Sequence, residues 1–426
     1  MRSLTCRTLL ALSASLLSLP ALATETTTPD LDPSVERADS MVGFIFDPIH
    51  SWNVSEENFQ RFKDMGGSVV RLPLRWSRLE PVQDVWTWGN LDAVIARARA
   101  LDLEVIGILG NGPVAPSWAT GFRTVDATPY LADWMEYVHQ VVARYRNDIH
   151  TWEIGNEPFT SHGQMVPFHQ YALFLRASYR TAKAIAPSST VIHGGVRYQS
   201  DRWKVEQFIL QPGAGKYTDG LNFHTIYRSS TQPEDQLFAE ALQAWGDLAD
   251  QWNVNPDLYL TESAWASDTD GNGPWGYVDE DLHAAYSVRT LIIGYANPRL
   301  KTVVNAWLMN DSHVWGYWDD TGFIRENGTK KPAYHATRFA QLKLRGTELV
   351  EHGSRPGIER YVFRGPFHQV TVLWTTGTAP TQLNWAGRDV DPWFYNQVGA
   401  QLHPTREGGR WQLTLDRRPT FIVEQP

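Results

Sequence analysis

Residues 104–109 (EVIGIL), 132–145 (ADWMEYVHQVVARY) and 151–158 (TWEIGNEP) carry the pattern that decides the fold. The first is a short apolar run rich in Ile and Val, typical of a buried β-strand. The second places apolar residues at three- and four-residue steps, which predicts an amphipathic helix. The third returns to a short strand-like run that ends at a glycine. A strand, a helix and a second strand in this order predict one βαβ unit with parallel strands.

The same alternation extends over most of the chain. Helical patterns cover 91–101, 132–145, 168–185, 238–252, 282–295 and 333–344. The predicted strands are Val42–Phe46, Ser68–Leu72, Glu104–Leu109, Thr151–Ile154, Thr190–His193, Leu221–His224, Leu258–Thr261 and Thr302–Trp307. Eight strands separated by helical stretches over about 300 residues predict an α/β fold, the (β/α)8 TIM barrel. A doubly wound open sheet is the alternative, but it needs a glycine-rich phosphate loop after the first strand, and residues 46–53 (FDPIHSWN) contain no glycine.

Four segments are expected along the chain. Residues 1–23 have the basic start, short apolar run and Ala-Leu-Ala end of a secretory signal peptide, and the run is too short for a membrane anchor, the alternative. Residues 24–40 are a polar linker, and 41–345 hold the barrel. Residues 346–426 contain short alternating segments between glycine-rich turns, which predicts a small antiparallel β module. We therefore expect a protein that is secreted or periplasmic.

Composition narrows the choice of partners. The 426 residues include 47 acidic and 38 basic side chains, a net charge of −9, which argues against nucleic acid or an anionic membrane surface. The one cysteine, Cys6, lies in the predicted signal peptide, so the mature chain has no disulfide, thiolate metal site or cysteine nucleophile. We expect a monomer without membrane insertion, cofactor or catalytic metal.

Two glutamates follow predicted strands at the edge where barrels place their active sites. Glu157 comes after the fourth strand, in Asn156-Glu157-Pro158, and Glu262 comes after the seventh. Cleavage of a glycosidic bond needs two carboxyl groups, one to protonate the leaving oxygen and one to attack the anomeric carbon or activate water. The alternative is a pair of ordinary carboxylates in salt bridges at the barrel rim.

With these motifs the chain resembles the clan A retaining glycoside hydrolases over roughly residues 42–345. The resemblance rests on Ile154–Pro158 and Leu260–Glu262, with further similar stretches at 70–76, followed by Glu80, and at 88–92. Within the clan, the chain is most similar to family 39, which holds β-xylosidases and bacterial exopolysaccharide endoglycosidases.

The resemblance implies a role for each matching residue. Glu157 matches the acid/base and Glu262 the nucleophile, so the reaction should retain anomeric configuration, with the carboxyl groups about 5 to 5.5 Å apart. Asn156 matches the asparagine that bonds the sugar 2-hydroxyl, and Arg71 matches an arginine below the nucleophile. Trp307 matches the platform for the sugar next to the scissile bond. The acid/base role also leads us to expect a raised pKa for Glu157.

The sixth predicted strand leads into Phe223-His224-Thr225-Ile226-Tyr227. The clan often has a His or a Tyr here that orients the nucleophile. The spacing leaves open whether His224 or Tyr227 contacts Glu262, so both are candidate site residues. Packing inside the fold is the alternative for a lone histidine, and it is the expectation for His193.

Aromatic residues are concentrated near the predicted strand ends. The chain has 19 tryptophans, several-fold above the usual proportion of roughly 1%. Indole faces stack on sugar rings, so a cleft lined by them would suit an extended saccharide, whereas core packing is the alternative for each one. The candidates for substrate binding are Trp76, Trp265 and Trp307, with His50 and Trp52 after the first strand. Trp118, Trp275, Trp315 and Trp318 also lie at or just past strand ends.

One loop has a second interpretation. Residues 268–273 (DTDGNG) match the first half of a calcium loop, but the twelfth position is Asp279 and no flanking helix pair is predicted. An acidic, glycine-rich turn is therefore favoured.

These observations predict an exported retaining glycosidase acting on a polysaccharide or oligosaccharide, with endo-action preferred because of the many tryptophans. An exo-acting β-glycosidase such as a β-xylosidase, a non-catalytic carbohydrate-binding protein on the same barrel and a structural exported protein are the alternatives. The sugar stays open among xylan, mannan, glucan, galactan and mixed exopolysaccharides.

Overall fold

The computed structural model describes residues 41–50, 53–110, 115–122, 126–160, 166–198, 200–210, 217–227, 231–268, 271, 276–312, 316–387 and 391–425. The predicted signal peptide and linker, Trp52, Trp275, Trp315 and most of the 268–273 loop lie outside these residues. None of the helices in the described part of the chain is long and apolar enough to cross a membrane.

A curled parallel sheet forms the centre of the molecule. In chain order the first eleven strands are β1 (Val42–Ile45), β2 (Val69–Leu74), β3 (Glu104–Leu109), β4 (Thr151–Ile154), β5 (Thr190–His193), β6 (Val196–Arg197), β7 (Leu221–Tyr227), β8 (Leu258–Trp265), β9 (Ser267–Asp268), β10 (Val278–Asp279) and β11 (Leu300–Asn305). Nine of them pair in the order β5-β4-β3-β2-β1-β11-β8-β7-β6, while β9 and β10 pair separately. Strands β2 and β3 are mainly Val, Ile and Leu, and all their residues except Glu104 are buried, as expected for a parallel sheet covered by helices.

The sheet closes into a barrel at its fifth strand. That strand is split into β5 and β6, which lie at opposite edges of the sheet and are joined by only two residues, Gly194 and Gly195. Side chains complete the junction between β5 and β7. The backbone N–H of Asn222 donates to Nε2 of His193 (3.1 Å), and its side-chain amide donates to the His193 carbonyl (3.0 Å). The predicted (β/α)8 barrel is confirmed.

Helices cover the outside of the barrel. They are α1 (Glu56–Asp64), α2 (Trp76–Leu79), α3 (Gly89–Ala100), α4 (Leu131–Tyr145), α5 (Tyr171–Ile185), α6 (Arg202–Lys204), α7 (Phe238–Trp252), α8 (Glu280–Ala296) and α9 (Pro332–Leu344). The apolar stripe of α4 buries Trp134, Tyr137, Val138, Val141 and Val142 against the sheet. Helix α1 was not predicted; Ser55 caps it by accepting a hydrogen bond from the Asn58 N–H.

The chain ends in an antiparallel β module, as expected from its alternating pattern. Its strands are β12 (Glu348–Arg355), β13 (Ile358–Arg364), β14 (Gln369–Thr375), β15 (Thr381–Trp385), β16 (Trp393–Tyr395), β17 (Gln401–Leu402), β18 (Thr405–Glu407), β19 (Arg410–Leu415) and β20 (Thr420–Glu424). They form a six-stranded sheet and a three-stranded sheet, with Leu373, Phe394, Leu413, Leu415 and Ile422 packed between them.

A buried ion pair lies where the barrel meets the β module. Arg289 of α8 is fully buried and bonds Glu234 through Nε (3.0 Å) and Nη2. The indole of Trp374, on β14, also donates to Glu234 (2.9 Å). Nearby, the Gln232 amide donates to the Thr376 carbonyl (2.8 Å), so groups from both parts of the chain satisfy one another.

Candidate active site

The turn after β4 holds Glu157 in an unusual backbone conformation. Gly155 (φ 76°) and Glu157 (φ 42°) both lie in the left-handed region, which glycine tolerates and glutamate rarely adopts. Such a residue at a strand end of a barrel is typical of a functional site. The turn points the Glu157 side chain toward the barrel axis, where 15% of it stays exposed.

Glu262 lies inside β8 rather than after it, which corrects the predicted strand end. The ladder between β7 and β8 is irregular here, pairing Phe223 with Leu260 and then His224 with Glu262, so Thr261 is the extra residue of a bulge. A bulge re-aims the side chains beside it. It directs Glu262 to the same pocket as His224, with 12% of the Glu262 side chain exposed.

His224 brings the two glutamates together. Its Nδ1 lies 3.2 Å from Oε1 of Glu157 and 3.9 Å from Oε2 of Glu262. The two oxygens therefore share one pocket, and their separation cannot exceed the sum of these distances, about 7 Å. Retaining glycosidases hold their carboxyl groups about 5 to 5.5 Å apart, and inverting ones roughly 6.5 to 9.5 Å.

The structure places Arg71 and Asn156 in the same cluster. Arg71 Nη1 donates to Glu262 (3.1 Å), and Nη2 donates to the Asn156 side-chain oxygen (2.7 Å). Both Nε and Nη2 of Arg71 also donate to Glu153, at 2.8 Å each. The guanidinium is 1% exposed, so it orients the acidic groups from below.

The hydrogen bonds behind His224 determine which ring nitrogen carries a proton. The Thr261 hydroxyl contacts three groups, Asn222 Oδ1 (2.8 Å), Glu153 Oε1 (3.4 Å) and His224 Nε2 (3.1 Å). The first two can only accept, because the Asn222 NH2 group already donates to the His193 carbonyl. His224 must therefore donate from Nε2. Its Nδ1 then either accepts from protonated Glu157 or, when it is itself protonated, donates to the Glu157 carboxylate.

The pKa values of the two glutamates are shifted in opposite directions. Burial raises the pKa of Glu157, but the hydrogen bond and charge of His224, with help from Thr160 and Arg197, bring it below its usual value. Burial raises the pKa of Glu262, which His224 and Arg71 lower and Glu157 and Glu153 raise, and it stays above its usual value. The expected high pKa of Glu157 is thus wrong for this state, because His224 bonds Glu157 rather than Glu262.

Two of the predicted substrate-binding tryptophans are core residues. Trp76 is 0% exposed and packs against Trp118, Phe122, Trp134 and Tyr137. Trp265 is 1% exposed and packs on Tyr286. Neither indole can stack on a sugar in this structure, because each is buried among other side chains. Trp76 lies at the start of α2, and Trp265 ends β8 on the face opposite to Glu262.

The remaining aromatic candidates lie near the rim. Trp307 is half-buried, and its ring meets the edge of the His50 ring at 5.7 Å. His50 Nδ1 lies 3.9 Å from a carboxylate oxygen of Asp311. Tyr227 ends β7, but its side chain, like all of Trp52, lies outside what the structure describes.

Three residues that support the catalytic candidates were not predicted from the sequence. Glu153, Thr261 and Asn222 are fully buried around Arg71 and His224. Gly195 donates its N–H to Glu153 (3.0 Å), and a β-carbon on it would meet the His224 ring. An available signal was the pair of opposite charges, Arg71 and Glu153, each inside an apolar strand. Within the described residues, no group of three or more His, Cys, Asp or Glu side chains could hold a metal ion.

A parallel (β/α)8 barrel with one glutamate just after its fourth strand and another in its seventh defines the class as a clan A glycoside hydrolase. The family model described as Glycosyl hydrolase family 10 matches residues 34–340. The chain belongs to glycosyl hydrolase family 10. The predicted membership of clan A is confirmed. The likeness to family 39, which belongs to the same clan, is a likeness of fold.

Comparisons with individual proteins agree with this class. Endo-1,4-beta-xylanase B of Cellvibrio japonicus is 23% identical over 273 residues, which are 61% of this chain and 40% of that protein. Endo-1,4-beta-xylanase A of Fusarium oxysporum is 21% identical over 301 residues, which are 64% of this chain and 86% of that one. A family 39 glycoside hydrolase from Bacteroides cellulosilyticus WH2 has a TM-score of 0.76 at 17% identity, covering 91% of this chain and 82% of that chain.

Proposed function

We propose that the chain is a retaining, endo-acting glycosidase that cleaves a xylan-type polysaccharide. One observation carries this proposal. The carboxyl oxygens of Glu157 and Glu262 approach the same nitrogen of His224, at 3.2 and 3.9 Å, in a pocket open enough to expose both. A single anomeric carbon and its leaving oxygen fit between two such groups. The curated relatives named endo-1,4-β-xylanase support the choice of xylan.

The proposed chemistry has two steps. The Glu262 carboxylate attacks the anomeric carbon and forms a glycosyl ester while the bond to the leaving oxygen breaks, and that oxygen takes the Glu157 proton. Water then attacks the same carbon, Glu157 takes its proton, and Glu262 is released as a carboxylate. Asn156 would bond the sugar 2-hydroxyl, and Trp307 would stack against the sugar beside the cleaved bond.

His224 has a role in supplying the proton. At rest the hydrogen bond and charge of His224 hold the pKa of Glu157 below its usual value, and His224 Nδ1 is the group from which Glu157 can take a proton. A sugar oxygen that approaches Glu157 needs this proton to move along one hydrogen bond of 3.2 Å. The Thr261 hydroxyl keeps the other proton of the ring on Nε2, so Nδ1 is the nitrogen that exchanges with Glu157.

A polysaccharide panel tests the proposal. The protein is incubated with xylan, mannan, glucan and galactan, and both new reducing ends and product lengths are measured early in the reaction. Endo-action on xylan gives oligosaccharides of several lengths, and proton NMR of the first products shows the β-anomer. Release of xylose alone would indicate an exo-acting β-xylosidase, an α-anomer would exclude retention, and no product from any substrate would favour a binding protein.

Two variants complete this test. Glu262→Ala should abolish turnover while leaving the unfolding midpoint nearly unchanged. Glu424→Gln alters another buried glutamate, in the β module, and should keep full activity. Near-normal activity of Glu262→Ala would show that the nucleophile is another residue.

We also propose that the protein is exported and monomeric. The pattern of residues 1–23 supports export, and a net charge of −9 disfavours self-association. N-terminal sequencing of protein recovered outside the cytoplasm should begin at residue 24, and sedimentation should give the mass of one chain. Retention of residue 1 in the exported fraction would contradict cleavage, and a heavier species would contradict the monomer.

A further inference from the structure

Glu153 is a third carboxyl group in the active site that no bound sugar can reach. It is 0% exposed and lies on β4, four residues before Glu157. Its Oε1 accepts from Arg71 Nη2 (2.8 Å) and from the Gly195 N–H (3.0 Å), and its Oε2 accepts from Arg71 Nε (2.8 Å). The Thr261 hydroxyl also lies 3.4 Å from Oε1, so any effect of Glu153 on the reaction must pass through Arg71, Thr261 or the backbone.

Arg71 is shared unequally between two carboxyl groups. Two of its N–H groups point at Glu153, whereas Nη1 alone contacts Glu262. A guanidinium that faced Glu262 by itself would strongly stabilise the carboxylate and so make it a weaker nucleophile. The negative charge of Glu153 partly neutralises the positive charge of Arg71 that acts on Glu262. The repulsion between Glu153 and Glu262 is also among the causes that raise the pKa of Glu262.

The bidentate contact also fixes the plane of the guanidinium. Two parallel hydrogen bonds to a carboxylate hold an arginine in one orientation. In that orientation Nη2 also reaches Asn156 Oδ1 (2.7 Å), which turns the Asn156 amide NH2 group away from Arg71. The same pair thus orders two groups that would meet the substrate.

We propose that Glu153 is a positioning residue that neutralises Arg71 and limits it to one hydrogen bond with Glu262, which keeps the Glu262 carboxylate reactive. This inference rests on the proposed function, because it assigns a role within that reaction. The competing explanation is that Glu153 serves only to satisfy a buried arginine and thereby stabilise the fold.

The test is the Glu153→Gln variant, assayed on a dinitrophenyl β-glycoside of the sugar that the parent releases. This leaving group needs no proton from Glu157, so the acid limb of kcat/KM reports the ionisation of Glu262. Removing the charge of Glu153 should move that limb to lower pH by about one unit. The rate of glycosyl-enzyme formation, followed by the dinitrophenolate burst, should fall by roughly threefold to tenfold because the carboxylate is less basic.

A matched control separates this effect from loss of stability. Glu234→Gln makes the same change in a second ion pair with a buried arginine, that of Glu234 with Arg289 at the β module. It should lower the unfolding midpoint and leave the acid limb in place. An unshifted limb in folded Glu153→Gln, or an equal shift in Glu234→Gln, would overturn the inference.

Glu153→Asp covers the case in which Glu153→Gln does not fold. Aspartate keeps the charge but shortens the side chain, so the acid limb should stay in place while the burst rate falls. A limb shifted to lower pH in Glu153→Asp, or an unchanged burst rate, would contradict the proposed role. If the unmodified protein hydrolysed no glycoside at all, that result would instead contradict the proposed function itself.

Discussion

Gly195 leaves the space that the imidazole ring of His224 occupies. A β-carbon built on this glycine would lie 2.0 Å from Nε2 of His224, far inside van der Waals contact. Because β6 begins at the next residue, the backbone cannot move away without disturbing the closure of the barrel.

Replacing Gly195 by Ala should therefore displace His224 and inactivate the enzyme more than it destabilises the fold. A displacement of about 1 Å at a catalytic group costs on the order of a hundredfold in rate. The measurements are kcat/KM on the dinitrophenyl β-glycoside and a urea unfolding curve of the same variant. Gly353→Ala is the control, since nothing lies within 4 Å of a β-carbon there, and it should behave as the parent does. Full activity of Gly195→Ala would show that the position of His224 does not matter.

Replacing Glu157 by Ala should remove the proton donor and leave room beside the anomeric carbon. Substrates with poor leaving groups should lose activity by roughly a hundredfold to ten-thousandfold, while dinitrophenyl glycosides lose much less in their first step. Azide should restore turnover by taking the place of the activated water and should give a glycosyl azide, detectable by mass spectrometry. The absence of both effects would count against the acid/base assignment.

Acid should weaken the junction between β5 and β7 through His193. Burial lowers the pKa of His193 to about 4, and its Nε2 must stay unprotonated to accept the Asn222 N–H. Between about pH 6.5 and 4 the unfolded chain binds the proton and the folded chain does not, so the free energy of unfolding falls by about 3 kcal/mol as the pH drops. Urea unfolding at several pH values should show a smaller loss for His193→Gln. Equal losses in parent and variant would exclude this histidine as the source.

Trp76 and Trp307 should respond differently to truncation. Trp76→Ala removes a fully buried indole and should cost about 3 to 5 kcal/mol in unfolding free energy. Trp307→Ala removes a half-buried ring beside His50 and should raise KM for oligosaccharides while changing stability far less. Thermal unfolding and saturation kinetics on the same samples distinguish the two. A raised KM in folded Trp76→Ala with unchanged stability would restore that residue to the binding site.

The regular elements could be predicted from sequence because their causes are local. The predicted strands at 104–109, 151–154 and 190–193 and the helix at 238–252 match the structure residue for residue. β7 and β8 run further than expected, to Tyr227 and Trp265. The residues that follow His224 and Thr261 include the polar Thr225, Glu262 and Ser263, so the apolar pattern stops before the backbone pairing does. Helix α1 was missed because EENFQRFKD has only two apolar residues.

The support around the glutamates was harder to predict. Glu157 and Glu262 follow from motif and strand position, but the contact between Glu153 and Arg71 joins residues 82 positions apart. The direction of the Trp265 side chain depends on which face of β8 it occupies, and that of Trp76 on the start of α2 just after β2. Composition contains no information on either. The low pKa of Glu157 depends on a ring from another strand, His224, whose choice between two glutamates is a matter of side-chain geometry.

The contacts between Glu234, Arg289 and Trp374 bear on how this enzyme can be shortened. The change of sequence pattern near residue 345 suggests a convenient place to truncate. Yet a chain cut there would expose a guanidinium that is fully buried, and it would remove the indole that bonds Glu234. Such a fragment should be recovered mainly as insoluble aggregate, so anyone who transplants or recombines this barrel should carry residues 346–425 along with it.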